Sequence, residues 1–324
     1  MSLGICTTTS EGIVLAADSR QSYRNQKGMS RVGSDSASKV FKLTEKVGLI
    51  VTGLAFLPKD GVLENISKFI EDFGVTHDLK KMTVEEISNE LEKYFKSKYD
   101  YKKEIKNLAK VLENNLSAQG VEVVKIEEKE THVEFIFKDK LNLNLEKKGI
   151  AGVQQLQFIV TGFNRDDSHQ TSVVYVPGNT QIKRDAKKRG QEYGADWIGQ
   201  IDVIARIIKG FDLRIENLPF ITKAIAEITP AQVQAQLNTL EYVIQWGTMT
   251  LQDGIDFSNL AIRTTTAIQR FSDGIRADPG DMPGVGGAVD IAVITRDKGF
   301  VWVSKKKLTA GENVVDLEKL PKIN

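Results

Sequence analysis

The chain has 324 residues, 41% of them hydrophobic, enough to bury the core of one large domain or of one domain carrying an insertion. A formal net charge of +1 argues against a nucleic-acid or membrane-surface protein, and no apolar run approaches the roughly 18 residues of a membrane span. A single cysteine, Cys6, excludes an intramolecular disulfide and fits a reducing cytoplasm, and no signal peptide precedes the first strand.

The predicted elements begin with a strand that opens at Ser2 and turns at Glu11-Gly12. A second strand, Ile13 to Ala17, ends in Asp18-Ser19-Arg20, and a polar loop over Gln21 to Asp35 leads to strands at Ser38–Leu43 and Val47–Gly53. A short amphipathic helix is expected over Asp60–Phe73. Thr83-Val84-Glu85-Glu86 reads as a capping box opening a second helix, with Val84, Ile87, Leu91 and Phe95 on one face. A Lys- and Glu-rich insertion over about residues 99–148 follows. It comprises a helix from Tyr101 to Leu116 and strands at Val121–Ile126 and Val133–Phe137. Two readings of it stand level: a cover for the active-site mouth or a ring interface, and a solvated decoration. Leu156–Gly162 and Thr171–Val176 form a hairpin around Asn164–Asp167. Helices are expected at Asp196–Ile208, carrying Trp197, from Thr229-Pro230 onward, near Trp246, and from Met249 to Phe271. Gly286–Asp297 reads as a closing strand, followed by a strand holding Trp302. This order suits two antiparallel sheets stacked between helical layers.

The ends of the first four strands gather groups with a shared chemistry. Ser2 becomes the amino terminus once Met1 is trimmed. Its α-amino group, with an ordinary pKa of about 7.7–8.0, can then serve as the base for its own hydroxyl. A cation such as Lys39 nearby would keep that amine neutral, Asp18 would orient Lys39, and Gly53 would let a backbone N–H face a developing oxyanion. Cys6 reads as an inward strand residue rather than a catalytic thiol. His77, His132 and His169 lack ligand spacing and are expected at the surface or in turns, so neither a metal nor a cofactor is called for.

Glu11 to Arg20, Ser38-Lys39-Val40, Val47 to Gly53 and Gly286 to Asp297 resemble, as an ordered set, the proteasome β-subunit-like family of N-terminal-nucleophile (Ntn) hydrolases. The likeness covers the opening and closing quarters of the chain well and the middle poorly, and is nearest to bacterial proteasome-related proteins without a propeptide. It implies an α+β fold, a four-layer αββα sandwich spanning residues 1–324 with an inserted helix-plus-hairpin segment. It also implies a peptidase or amidohydrolase with Ser2, Asp18, Lys39 and Gly53 as catalytic residues and Arg20, Ser22 and Val51 in the substrate cleft. An aspartate before the closing Gly-Gly should support the amine. Asp273, Asp278 and Asp281 are candidates, with Asp281 favoured because it lies nearest Gly286-Gly287. The implied partners are a peptide or protein substrate and further copies of the chain, as a ring or open array, with a regulatory ATPase left open.

The chain departs from the family pattern in four ways. Serine replaces the usual threonine, and the Asp18-to-Lys39 spacing is lengthened through the Gln21–Asp35 loop. The loop before Gly286 is long, and a supporting serine expected near Lys188–Gly194 is missing. Thr7-Thr8-Thr9 does not serve as an alternative start, since Asp18 would then arrive too early. Two other functions fit the same fold: an inactive ring or scaffold subunit, and a transamidase or peptide ligase. The strand beginning at Ser2, with no preceding helix to plug the cleft, favours the enzyme.

Overall fold

Strands β1 (Leu3–Thr8) and β2 (Ile13–Asp18) bury every one of their residues, as strands do when both faces are covered by other layers rather than by water. Even the polar positions of β1 are enclosed: the Thr7 hydroxyl lies 2.9 Å from that of Ser258 on a covering helix. The computed structural model describes residues 2–25, 27–138, 146–212, 214–215, 218, 221, 228–275, 278–279, 282–310 and 313–315.

The protein is a mixed α+β structure built on antiparallel sheets. One five-stranded sheet runs β15 (Gly194–Gly199), β1, β2, β18 (Val289–Thr295), β19 (Gly299–Ser304). The other runs β14 (Thr180–Asp185), β13 (His169–Val176), β12 (Leu156–Phe163), β6 (Val47–Thr52), β5 (Val40–Lys42). Between the sheets lies a core of Cys6, Leu15, Ile50, Ile159, Ile198 and Ala292. Helices α1 (Ile66–Thr76) and α2 (Val84–Lys98) cover the second sheet, packing Phe73 and Phe95 toward Leu49 and Phe158. On the first sheet, α4 (Asp202–Lys209) and α6 (Leu251–Phe271) set Ile204, Ile208 and Ile262 against Leu3, Ile5 and Val14.

The helix starts follow their sequence signals. Thr83, Thr229 and Thr250 each close a capping box, with Glu86, Gln232 and Asp253, and Pro230 opens α5 (Pro230–Leu237). The predicted apolar face of α2, Val84, Ile87, Leu91 and Phe95, is buried. Four expectations are corrected. The helix expected from Asp60 begins at Ile66, behind the cap Asn65. Before it, β7 (Phe56–Lys59) and β8 (Val62–Asn65) form a hairpin that turns at Asp60-Gly61, both at positive φ. The helix expected over Asp196–Ile208 divides, because Gly194–Gly199 extends the first sheet as β15 and only Asp202–Lys209 is helical. Trp197 therefore sits in a strand, and Trp246 in a short 3₁₀ turn, Trp246–Thr248. The polar Gln21–Asp35 stretch contains the hairpin β3 (Gln21–Arg24) with β4 (Ser30–Ser34).

The fourth correction concerns the insertion, which is a helix on three strands rather than a helix and a hairpin. Helix α3 (Tyr101–Ala118) packs on a sheet of order β11 (Glu146–Gly152), β10 (His132–Lys138), β9 (Val123–Glu128), which ends at Gly152 rather than 148. The predicted one-faced strand is present, with Val133 buried against α3 and the Phe135 and Phe137 rings 5.8 Å apart. Near the C-terminal end of α6, Gly274–Ile275 (β16) pairs with Asp278–Pro279 (β17).

Candidate active site

The start of β1, the end of β2, the approach to β5 and the end of β6 meet at one end of the two sheets. Asp18 closes β2, almost wholly buried, and its carboxylate is saturated by donors. Oδ1 accepts from the Leu3 amide at 2.9 Å and from Lys39 Nζ at 2.7 Å, and Oδ2 accepts from the Arg20 and Gly286 amides at 3.0 Å each. Three amides and an ammonium around one carboxylate hold its charge by hydrogen bonding instead of by water. Lys39 Nζ also donates to the Arg20 carbonyl at 2.6 Å. Burial pushes the Lys39 ammonium below its usual range, opposed by the Asp18 carboxylate, and the charge of Lys306 pushes it further down.

One cleft is lined by Ser2, Arg20, Ser22, Lys39, Val51 and Gly53, while Asp18 lies buried behind Lys39. Ser2 is itself buried. Its carbonyl accepts from the Gln200 amide at 2.7 Å, and a Cβ on Gly199, at φ +90°, would fall 2.0 Å from that oxygen. Gln200 Oε1 accepts from Gln269 Nε2 at 2.8 Å. Gln269 Oε1 in turn accepts from the Gly284 and Val285 amides at 3.0 and 2.9 Å. Helix α6 thus fixes the Ser2 backbone and the loop before the closing strand through one side chain. Gly53 has φ +100°, and a Cβ there would lie 1.9 Å from the Gln155 carbonyl oxygen, so only glycine fits. The neighbouring Thr52 hydroxyl is buried in the cleft wall with no hydrogen-bond partner among the described residues.

The structure brings together Ser2, Asp18, Lys39, Gly53, Arg20, Ser22 and Val51, the residues singled out near the start of the chain. Arg20 lines the cleft, but its guanidinium is engaged: Nε and Nη2 bind the two Asp35 oxygens at 2.7 and 3.0 Å, holding Asp35 below the usual carboxylate range. Of the aspartates expected to support the amine, Asp281 lies outside the described residues and Asp273 is exposed. Only the backbone of Asp278 is described.

A second buried acid–base pair escaped sequence reasoning. Asp290 stands opposite Ala17 on β2 and accepts from the Lys306 amide at 2.9 Å and from its ammonium. Gln200, Gln269 and Lys306 belong to no motif, so nothing in their local sequence marks them. His169, expected at the surface or in a turn, is a buried strand residue. Its Nε2 lies 2.7 Å from the Glu192 carbonyl, and burial holds the imidazole below its ordinary range. Cys6 is inward-facing as expected, its thiol pushed up to about 12 by burial and by Asp196.

Among the described residues no three His, Cys, Asp or Glu side chains converge as a metal site, and no helix is long and apolar enough to cross a membrane. Neither a family model nor a curated protein matches the chain.

Proposed function

We propose that the protein is an Ntn hydrolase of the proteasome β-subunit-like kind, its paired sheets and covering helices forming that family's αββα sandwich. Its substrates are amide bonds in peptides. The observation that carries this reading is the buried Asp18–Lys39 pair at 2.7 Å, with Lys39 sharing a cleft with Ser2 and Gly53. A charge so deeply buried is costly to keep, and a site that must control a nearby proton gives a reason to keep it.

In the form that lacks Met1, the α-amino group of Ser2 takes the proton of its Oγ as Oγ bonds to the substrate carbonyl carbon. The oxygen's developing negative charge faces the backbone at Gly53. The amine then passes the proton to the departing nitrogen as the C–N bond breaks, and water releases the acyl group by the reverse path. Lys39, oriented by Asp18, disfavours protonation of the α-amine, whose ordinary pKa is about 7.7–8.0, so activity should climb with pH through a value lower than that.

The test is a comparison of Ser2→Ala and Ser2→Thr on a mixture of peptides of randomised sequence. Ser2→Ala should lose cleavage by a factor of at least about 10³, and Ser2→Thr should retain it. Cleavage by Ser2→Ala at the wild-type rate would put the activity at a different site, and a wild type that cleaves none of the peptides would leave an inactive scaffold as the function.

A further inference from the structure

The first cleft does not end at Ser2. A second cleft, of about 520 Å³, meets it at Ser2 and Gly53 and runs out between the insertion and the ends of β12 and β15. That volume lies in the range of about 300–1,000 Å³ typical of sites that enclose a ligand. One wall is the insertion's sheet. The register sets His132 opposite Gly152 and Glu134 opposite Ile150, so by alternation these four share a face, while Val133 turns into the core with α3. The other wall carries Gln155, Gln157 and Gln200.

We infer that this second cleft binds the leaving side of an extended polypeptide substrate, the residues that follow the scissile bond, and that the insertion is its specificity wall. The inference rests on Ser2 being the nucleophile. Three observations lead to it. First, the two clefts share only Ser2 and Gly53, so a chain whose carbonyl sits at Ser2 with its acyl side in the first must leave through the second.

Second, the glutamine wall is pre-oriented for main-chain groups. Gln157 Oε1 accepts from the Gly199 amide at 2.8 Å and Gln155 Nε2 donates to the Pro177 carbonyl at 2.9 Å, which fixes both amide planes. Side-chain amides offer donors and acceptors together, as a peptide backbone requires. Third, Ile150 projects from the opposite wall at 73% exposure, beside Val153, a large apolar side chain left uncovered inside a cleft. A substrate side chain packing there would remove it from water. Apart from the Ser2 amine at the junction and His132, whose Nε2 lies 3.3 Å from Glu134 Oε1, the lining side chains carry no charge, so the occupant is an uncharged, apolar side chain on a polypeptide backbone.

Wild-type protein, Ile150→Asp and Ile150→Lys are each incubated with dodecapeptides of randomised sequence, and the cleaved bonds are identified by mass spectrometry. Acylation of wild-type Ser2 by p-nitrophenyl acetate, which has no peptide leaving side, is measured in parallel. The wild type should prefer apolar residues within two positions after the cleaved bond. Ile150→Asp should move that preference to Lys and Arg, and Ile150→Lys to Asp and Glu, each by at least about tenfold. A gained preference cannot come from misfolding. Identical leaving-side preferences in all three proteins would overturn the inference while leaving Ser2 as nucleophile. A wild type that is acylated yet cleaves no peptide would overturn it too. Absence of acylation on Ser2 would overturn the nucleophile reading, and the inference with it.

Discussion

Lys39 donates to two oxygens from a position 6% exposed, and Asp18 loses one of four donors if Lys39 is replaced. Removing one partner of such a buried pair costs about 3–5 kcal/mol, so Lys39→Met should abolish acyl transfer and also lower the thermal midpoint. The pH dependence has a definite sign. The folded state holds Lys39 below its ordinary pKa of 10.5, so the unfolded chain binds more protons between the two values. The cost is therefore fully present below the folded value and is relieved as pH rises toward 10.5. Stability of wild type relative to Lys39→Met, from urea titrations at several pH values, should increase across that window; a flat difference would show that Lys39 is not held against its charge. Cys6 makes a separate point at this scale. With its thiol up at about 12, it should resist 5,5′-dithiobis(2-nitrobenzoate) at pH 8 in native protein and react only on unfolding.

At the scale of elements, α6 reaches the site through Gln269, which accepts from Gly284 and Val285 and donates to Gln200. Gln269→Leu leaves two amides and the Gln200 oxygen without their partner. It should cost about 1–3 kcal/mol and slow acylation of Ser2 without abolishing it. Gln269→Glu keeps both acceptor bonds and should recover most of the stability, which urea midpoints would check. Elements were legible where one local rule governed them. Thr83, Thr229 and Thr250 announce their helices, and the full burial of β2 agrees with its apolar run, whereas β1 alternates with polar residues in sequence and is buried throughout, Thr7 and Thr8 included. Local rules failed where they competed. Asp60-Gly61 looked like a helix start because apolar spacing follows it, yet Asp-Gly is a hairpin turn. Ile198, Ile201 and Ile204 recur every three residues, as on a helix, yet Ile198 lies inside the sheet pair and Ile204 on a helix. The residues of the site were readable because strands deliver Asp18, Lys39 and Gly53 at their ends. Asp290, Lys306 and Gln269 were not, because no motif marks them: Asp290 and Lys306 are 16 residues apart, fewer than the 21 between Asp18 and Lys39, and only the fold pairs them.

At the scale of the whole molecule, the two sheets place the start of β1 and the ends of β2 and β6 at a single opening, and the insertion stands beside it. On the proposed family reading, copies of the chain assemble as a ring or open array around that opening. Native mass spectrometry at micromolar concentration should then give a multiple of 36.0 kDa. A lone 36.0 kDa species would remove that compartment and make the protein a free amidase or ligase with an open cleft. The central claim is that Ser2 is a nucleophile activated by its own amine, and intact-mass and N-terminal analysis after reaction with p-nitrophenyl acetate tests it directly. The expected product is a chain without Met1 that carries one acetyl group, on Ser2, with none acquired by Lys39→Met. Retention of Met1 in protein that still cleaves peptides, or acetylation at any other residue in place of Ser2, would contradict it.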